Sequence, residues 1–116
     1  LVKMKKIILL LLMIPLFSVS QTKSKSVKET FAVSGNCDMC KKRIETATLK
    51  LNGVKYVNWN KETSNFSIIY NNKKVTIDEI RNKIAESGHD NGDYISSLES
   101  YDNLPNCCRY RHSGKH

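Results

Sequence analysis

Four cysteines carry the distinctive chemistry of this sequence, in two pairs: Cys37-Asp-Met-Cys40 and Cys107-Cys108. A basic, helix-like run follows the first pair, so Cys40 falls at or near the first turn of a helix. Unpaired amides and the helix dipole stabilise a thiolate there. Cys37, on the loop just before, can bring its sulfur to the same point. Two thiolates converging from opposite sides suit a soft ion of low coordination number, with Cu(I) foremost. An exposed two-ligand site also leaves room for an incoming thiolate, so the ion can be passed on. Three other uses of the pair stay open at this level: a dithiol redox site, a structural disulfide, and a zinc site of four sulfurs completed by Cys107 and Cys108.

The second pair follows Asn103-Leu104-Pro105-Asn106, with Arg109, Arg111 and His112 close behind. These basic neighbours are expected to depress the thiol pKa values and favour thiolates. Residues 100–107, about eight in number, span roughly 26 Å when extended, enough to fold back over a small domain. Cys107 or Cys108 is therefore a candidate auxiliary thiolate for the Cys37/Cys40 metal or for an adjacent second ion. A buried structural pair and an inert, exposed pair are the alternatives.

The first residues read as an address. Lys3, Lys5 and Lys6 precede an apolar run of eleven residues, Ile7–Phe17, and Ser18-Val19-Ser20 forms a small-x-small site. That layout predicts a signal peptide over 1–20, cut before Gln21. The run is too short to span a bilayer core of about 30 Å. Export to a periplasm or secretion, with no membrane attachment after cleavage, is the expectation. The mature part, 96 residues, is one small domain with one modest core. Loss of the three lysines takes 19 basic residues to 16 against 11 acidic, a net charge of +5. Aromatics do not alternate with these basic residues, which argues against nucleic acid.

The elements that must position the cysteines follow from periodicity. Residues 21–26 are polar and read as a flexible arm. In Val27–Ser34 the apolar residues Val27, Phe31 and Val33 alternate, predicting a strand. From Cys40 to Leu51, Ile44, Ala47 and Leu51 recur at helical intervals, and Asn52-Gly53 ends the helix. Val57 and Trp59 mark a second strand, and Phe66, Ile68 and Tyr70 a third, joined as an antiparallel hairpin. Thr76-Ile-Asp-Glu79 is a capping box for a second helix carrying Ile77, Ile80 and Ile84, which stops at Ser87-Gly88. Tyr94–Leu98 is the expected fourth strand. The order β-α-β-β-α-β predicts an α+β, ferredoxin-like sandwich: a four-stranded antiparallel sheet with two helices on one face. Its domain would cover 27–99, leaving 100–116 as a Cys/His-containing tail. In this topology the cysteine loop, 35–40, lies near the turn after the second helix, 88–92.

The stretch "GNCDMCKKRIETATLKLNGV", with Val57, Trp59 and the later "IAESGHD", resembles the heavy-metal-associated (HMA) domain, the fold of copper chaperones and of metal-binding modules on copper-exporting ATPases. The resemblance covers about residues 27–98. It implies that Cys37 and Cys40 are the metal ligands. It also places His89 where the family often has an aromatic or lysine facing the metal, making His89 a candidate third ligand. One departure is Gly35, which stands where the family usually carries a methionine packed beneath the loop. Met39, between the cysteines, is either its inward-folded substitute or an exposed thioether.

The rivals fit less well. A thioredoxin-like dithiol/disulfide redox protein needs a proline opposite its cysteines, and Pro105, the one proline after the expected cleavage, lies in the tail. A small secreted domain with structural disulfides gains little from a Cys37–Cys40 bridge, which closes a tiny loop. No triad, paired carboxylate site or phosphate loop is present, so no enzyme is expected. The reading is an exported protein that binds Cu(I), with Zn(II), Hg(II), Cd(II) or Ag(I) as further candidates. Its expected partners are a metal-donor or metal-acceptor protein, such as a metal-transporting ATPase or efflux component, with the protein itself a monomer or metal-bridged dimer.

Overall fold

The computed structural model describes residues 25–113. The expected signal peptide and most of the expected arm lie outside these residues. The first strand, β1 (Ser26–Ala32), starts one residue into that arm. It leads to helix α1 (Asp38–Leu49), strands β2 (Val54–Trp59) and β3 (Asn65–Asn71), and helix α2 (Ile77–Glu86). A short helix α3 (Leu98–Asp102), a single 3-10 turn (Asn106–Cys108) and α4 (Tyr110–Ser113) complete the order. Among the described residues, no helix is long and apolar enough to cross a membrane.

The sheet runs β1-β3-β2, all antiparallel. Its register places Phe31 opposite Phe66 and Trp59 opposite Phe66 on the other side, so one apolar face forms across the three strands. Helices α1 and α2 cover that face with Ile44, Ile80 and Ile84, all fully buried beside Val33, Trp59, Phe66 and Ile68. The α1 stripe differs slightly from the expected one. Its buried residues are Cys40, Ile44 and Thr48, while Ala47 is only half-buried. Thr48 tolerates burial because its hydroxyl donates to the Ile44 carbonyl at 2.9 Å. The capping box at α2 is formed as expected: Glu79 N donates to Thr76 Oγ1, and Thr76 N to Glu79 Oε1, each at 3.1 Å. Gly88, at φ +107, ends that helix where a β-carbon would be strained.

The expected fourth strand at Tyr94–Leu98 is not formed, and the sheet of the described residues has three strands, not four. Burial shows why. Ile95 and Leu98 are 65% and 72% exposed, while Ser96 between them is buried, the reverse of a half-buried strand. Polar bonds hold the segment instead. Asp90 Oδ1 accepts from Ser96 N at 2.7 Å, and Ser97 Oγ caps α3 by accepting from Ser100 N at 3.1 Å.

Residues 98–113 form a folded strap, not a loose tail. Tyr101, Leu104, Cys108 and Tyr110 belong to the same core as the sheet and helices. Tyr110 is the main anchor. Its hydroxyl donates to the Gly88 carbonyl at 2.8 Å and accepts from Asp90 N at 2.9 Å. Arg111 adds an ion pair to Asp90 at 2.8 Å and lies 4.3 Å from the centre of the Tyr101 ring. The strap thus closes over the turn after α2.

Candidate metal centre

The cysteine loop is fixed from below. Ser34 N donates to the Asp90 carbonyl at 2.9 Å, joining the loop to the turn after α2, near which the expected topology places it. Trp59 lies beneath it, fully buried, with Nε1 donating to the Val33 carbonyl at 2.9 Å. A β-carbon at Gly35 would meet Trp59 Cζ2 at 2.9 Å and Cys40 Cβ at 3.0 Å. The indole therefore fills the space under the loop, and glycine is the residue that lets it do so. Met39 is no substitute for a packed methionine, being 50% exposed.

Cys37 is the N-cap of α1, extended at φ −142° and ψ 175°, and makes no side-chain cap. Its carbonyl accepts from Cys40 N at 3.0 Å, which turns the chain so that both sulfurs face one point. Cys37 Sγ and Cys40 Sγ are 3.3 Å apart, and Asn36 N donates to Cys40 Sγ at 3.3 Å. The strap brings in the rest. Cys108 Sγ lies 3.4 Å from Cys37 Sγ, and Cys107 Sγ lies 2.7 Å from it. The ligand atoms of Cys37, Cys40 and Cys108 all lie within 4.8 Å of one another. None of the four cysteines is joined in a disulfide. Asn36 Nδ2 donates to the Cys107 carbonyl at 3.1 Å, pinning the strap to the loop.

A 3-10 turn places successive side chains about 120° apart, so the adjacent cysteines differ in burial although both sulfurs reach Cys37. Cys108 points into the core, fully buried, and Cys107 points to solvent. Sequence alone gave no periodic signal for this turn.

Cys37 is the hub of the group. Burial raises its pKa, but bonds from the Cys107 thiol, the Cys40 amide, and the Cys40 and Cys108 thiols outweigh that and bring it down to about 7. Burial pushes Cys40 up. Cys107 is raised by its bond to Cys37, and Cys108 by burial and its bonds to Cys40 and Cys37. The expectation that basic neighbours depress the Cys107 and Cys108 values is thus overturned. Arg111 is committed to Asp90, and Arg109 donates to the Asp102 carbonyl at 3.0 Å. Lys41 is likewise held away: Nζ donates to Glu45 at 2.8 Å and to Asn58 and the Trp59 carbonyl, each at 2.9 Å. Glu45 also accepts from Trp59 N at 2.8 Å, which fixes α1 against β2 under the site.

His89 does not join the sulfur group. It is fully buried, stacked on Tyr110 at 5.7 Å between ring centres. Its Nδ1 lies 2.7 Å from the Ser34 carbonyl, which can only accept, so Nδ1 carries the proton. Nε2 is buried without a hydrogen-bond partner. Burial holds the imidazole down to about 4, against the opposing Ser34 bond. Its position supports the loop from behind.

Residues 30–90 match the family described as the heavy-metal-associated domain. The chain belongs to that family. A copper chaperone CopZ of Staphylococcus saprophyticus is 35% identical to this HMA chain over 63 residues, 53% of this chain and 93% of the relative. Among solved structures, a CopZ metallochaperone superposes with a TM-score of 0.55 at 28% identity, covering 57% of this chain and all of that one. The water-soluble region of the P-type ATPase CopA from Bacillus subtilis gives 0.56 at 28% identity, covering 60% of this chain and 47% of that one. These likenesses carry the ferredoxin-like fold of the HMA family. They place the chain with metallochaperones and metal-binding domains, which are not enzymes. The family match ends at Asp90, so the strap and its two cysteines lie beyond it.

Proposed function

We propose that this HMA chain binds a soft metal ion, Cu(I) foremost, through Cys37 and Cys40, with Cys108 as a third thiolate supplied by the strap. The carrying observation is the convergence of three sulfurs within 4.8 Å at the start of α1. Thiolate is the ligand that Cu(I) prefers, and three such ligands suit its low coordination number. The same sulfurs also suit Zn(II), Hg(II), Cd(II) or Ag(I), and the copper chaperones among the relatives favour Cu(I).

The ion is cargo in this reading. It passes to or from another thiolate-bearing domain, and the likeness to the soluble region of a P-type ATPase supports a metal-transporting ATPase as that partner. The protein acts after export, on the strength of the signal pattern over residues 1–20. Native mass spectrometry of the reduced chain 21–116, titrated with Cu(I) and separately with Zn(II), tests the site. One tightly held Cu(I), lost in Cys37→Ser and in Cys40→Ser, is expected. Equal retention of Cu(I) by both variants against a chelator would place the site elsewhere.

A further inference from the structure

Solvent access to the four sulfurs is graded. Cys40 and Cys108 are fully buried, Cys37 is half-buried, and Cys107 is exposed. Cys40 is shut in by the loop itself, since its β-carbon lies 3.0 Å from where a side chain on Gly35 would begin. Cys108 is shut in by the strap, held by Tyr110 and by the amide of Asn36 on the Cys107 carbonyl. An acceptor arriving from solvent cannot reach either buried sulfur. It meets the side formed by Cys37 and Cys107, whose sulfurs touch at 2.7 Å.

We propose that Cys107 is the exit ligand of the site, the sulfur through which the ion moves from its resting position to an acceptor. The inference rests on the metal-binding reading given above. In the step, a bond forms between the ion and Cys107 Sγ while the bonds to Cys40 and Cys108 open in turn. The proton leaving the Cys107 thiol goes to water, and water returns one to each sulfur left behind. The ion's oxidation state does not change. Held by Cys37 and Cys107, the ion would lie at the surface, where an acceptor's thiolates add as Cys107 and then Cys37 leave, each taking a proton from water. The 3-10 turn makes this possible by setting Cys108 inward and Cys107 outward with both sulfurs within reach of Cys37 Sγ.

The exit role and a resting-ligand role predict opposite kinetics. Removing a resting ligand weakens the hold and speeds release, whereas removing the exit ligand blocks the path and slows it. The full chain 21–116 is loaded anaerobically with one Cu(I) and mixed with bathocuproine disulfonate or with dithiothreitol, and release is followed by stopped flow. Cys107→Ser is expected to slow release about ten-fold, and Cys108→Ser to speed it by a similar factor. Circular dichroism of Cys107→Ser should match the parent, because the side chain is exposed. Release from Cys107→Ser as fast as from the parent, or faster, overturns the exit role while leaving the Cys37/Cys40 site intact. Undiminished Cu(I) binding by the Cys37→Ser/Cys40→Ser double variant overturns both the site and its exit.

Discussion

The indole of Trp59 sits so close under Gly35 that a β-carbon there would lie 2.9 Å from Cζ2. The loop that carries Cys37 is thus supported from β2, by a residue 24 positions away from Gly35 in the chain. Gly35→Met, which restores the residue usual at this place in the family, is expected to destabilise the protein. Overpacking of this kind costs about 1–3 kcal/mol. Urea unfolding followed by fluorescence of the single tryptophan gives the value directly. An unchanged midpoint would show that the loop can shift to admit a side chain.

Tyr110→Phe removes one hydroxyl and leaves both the Gly88 carbonyl and the Asp90 amide without that partner. Buried polar groups left unpaired cost about 1–3 kcal/mol each at most, and the strap should loosen with them. Faster amide exchange in residues 104–110, measured by mass spectrometry, is the expected outcome. Equal protection in parent and variant would leave strap docking to its apolar contacts and to the bonds of Asn36 and Arg111.

Cys108→Ser should weaken Cu(I) binding without abolishing it, whereas Cys40→Ser should abolish tight binding. A drop of about ten-fold or more for Cys108→Ser is expected, comparable to about 1.4 kcal/mol. Competition against a Cu(I) chelator at fixed pH measures it. Parent-like affinity in Cys108→Ser would reduce the site to two ligands.

Stability should also fall with acid in a way traceable to His89. The ring faces the Ser34 carbonyl, the Tyr110 ring, Arg43 and Asp90, and its folded pKa is held down to about 4, below the ordinary 6.5. Above pH 6.5 the imidazole is neutral in both states and contributes no pH dependence. As pH falls from 6.5 towards 4, the unfolded chain takes up a proton that the folded one refuses, and stability is lost. Below about 4 the loss is complete, at most about 3 kcal/mol. His89→Gln should flatten this part of the curve in urea titrations of the metal-free protein. Parallel curves for parent and variant would remove His89 from the acid response.

Most of the domain was legible because it is written in local patterns. The α2 capping box, the stop at Gly88, the hairpin strands and the convergence of Cys37 with Cys40 all follow from spacing within a few residues. The fourth strand was misread because Ile95 and Leu98 look like core residues, yet side-chain bonds from Asp90 and Ser97 fix the chain with both exposed. The strap was not legible as structure. Its helical pieces are of five, three and four residues, too short to show a period, and its order comes from tertiary contacts of Tyr101, Leu104 and Tyr110. Lack of periodicity there reflected shortness, not looseness. Trp59 was seen as a core residue, but its place under Gly35 needed the register of β2 against β3.

The sulfurs also differ in when they can meet. Cys37 and Cys40 are three residues apart, whereas Cys37 and Cys108 are 71 apart and are joined only when the whole intervening chain has folded. Contacts that close long loops form late, because the entropy of closure must be overcome first. The three-sulfur group exists only while the strap is docked, and wherever that last segment is undocked a two-sulfur clasp remains. On the proposed reading, the hold on the metal rests on the tertiary docking of a segment far along the chain from the clasp.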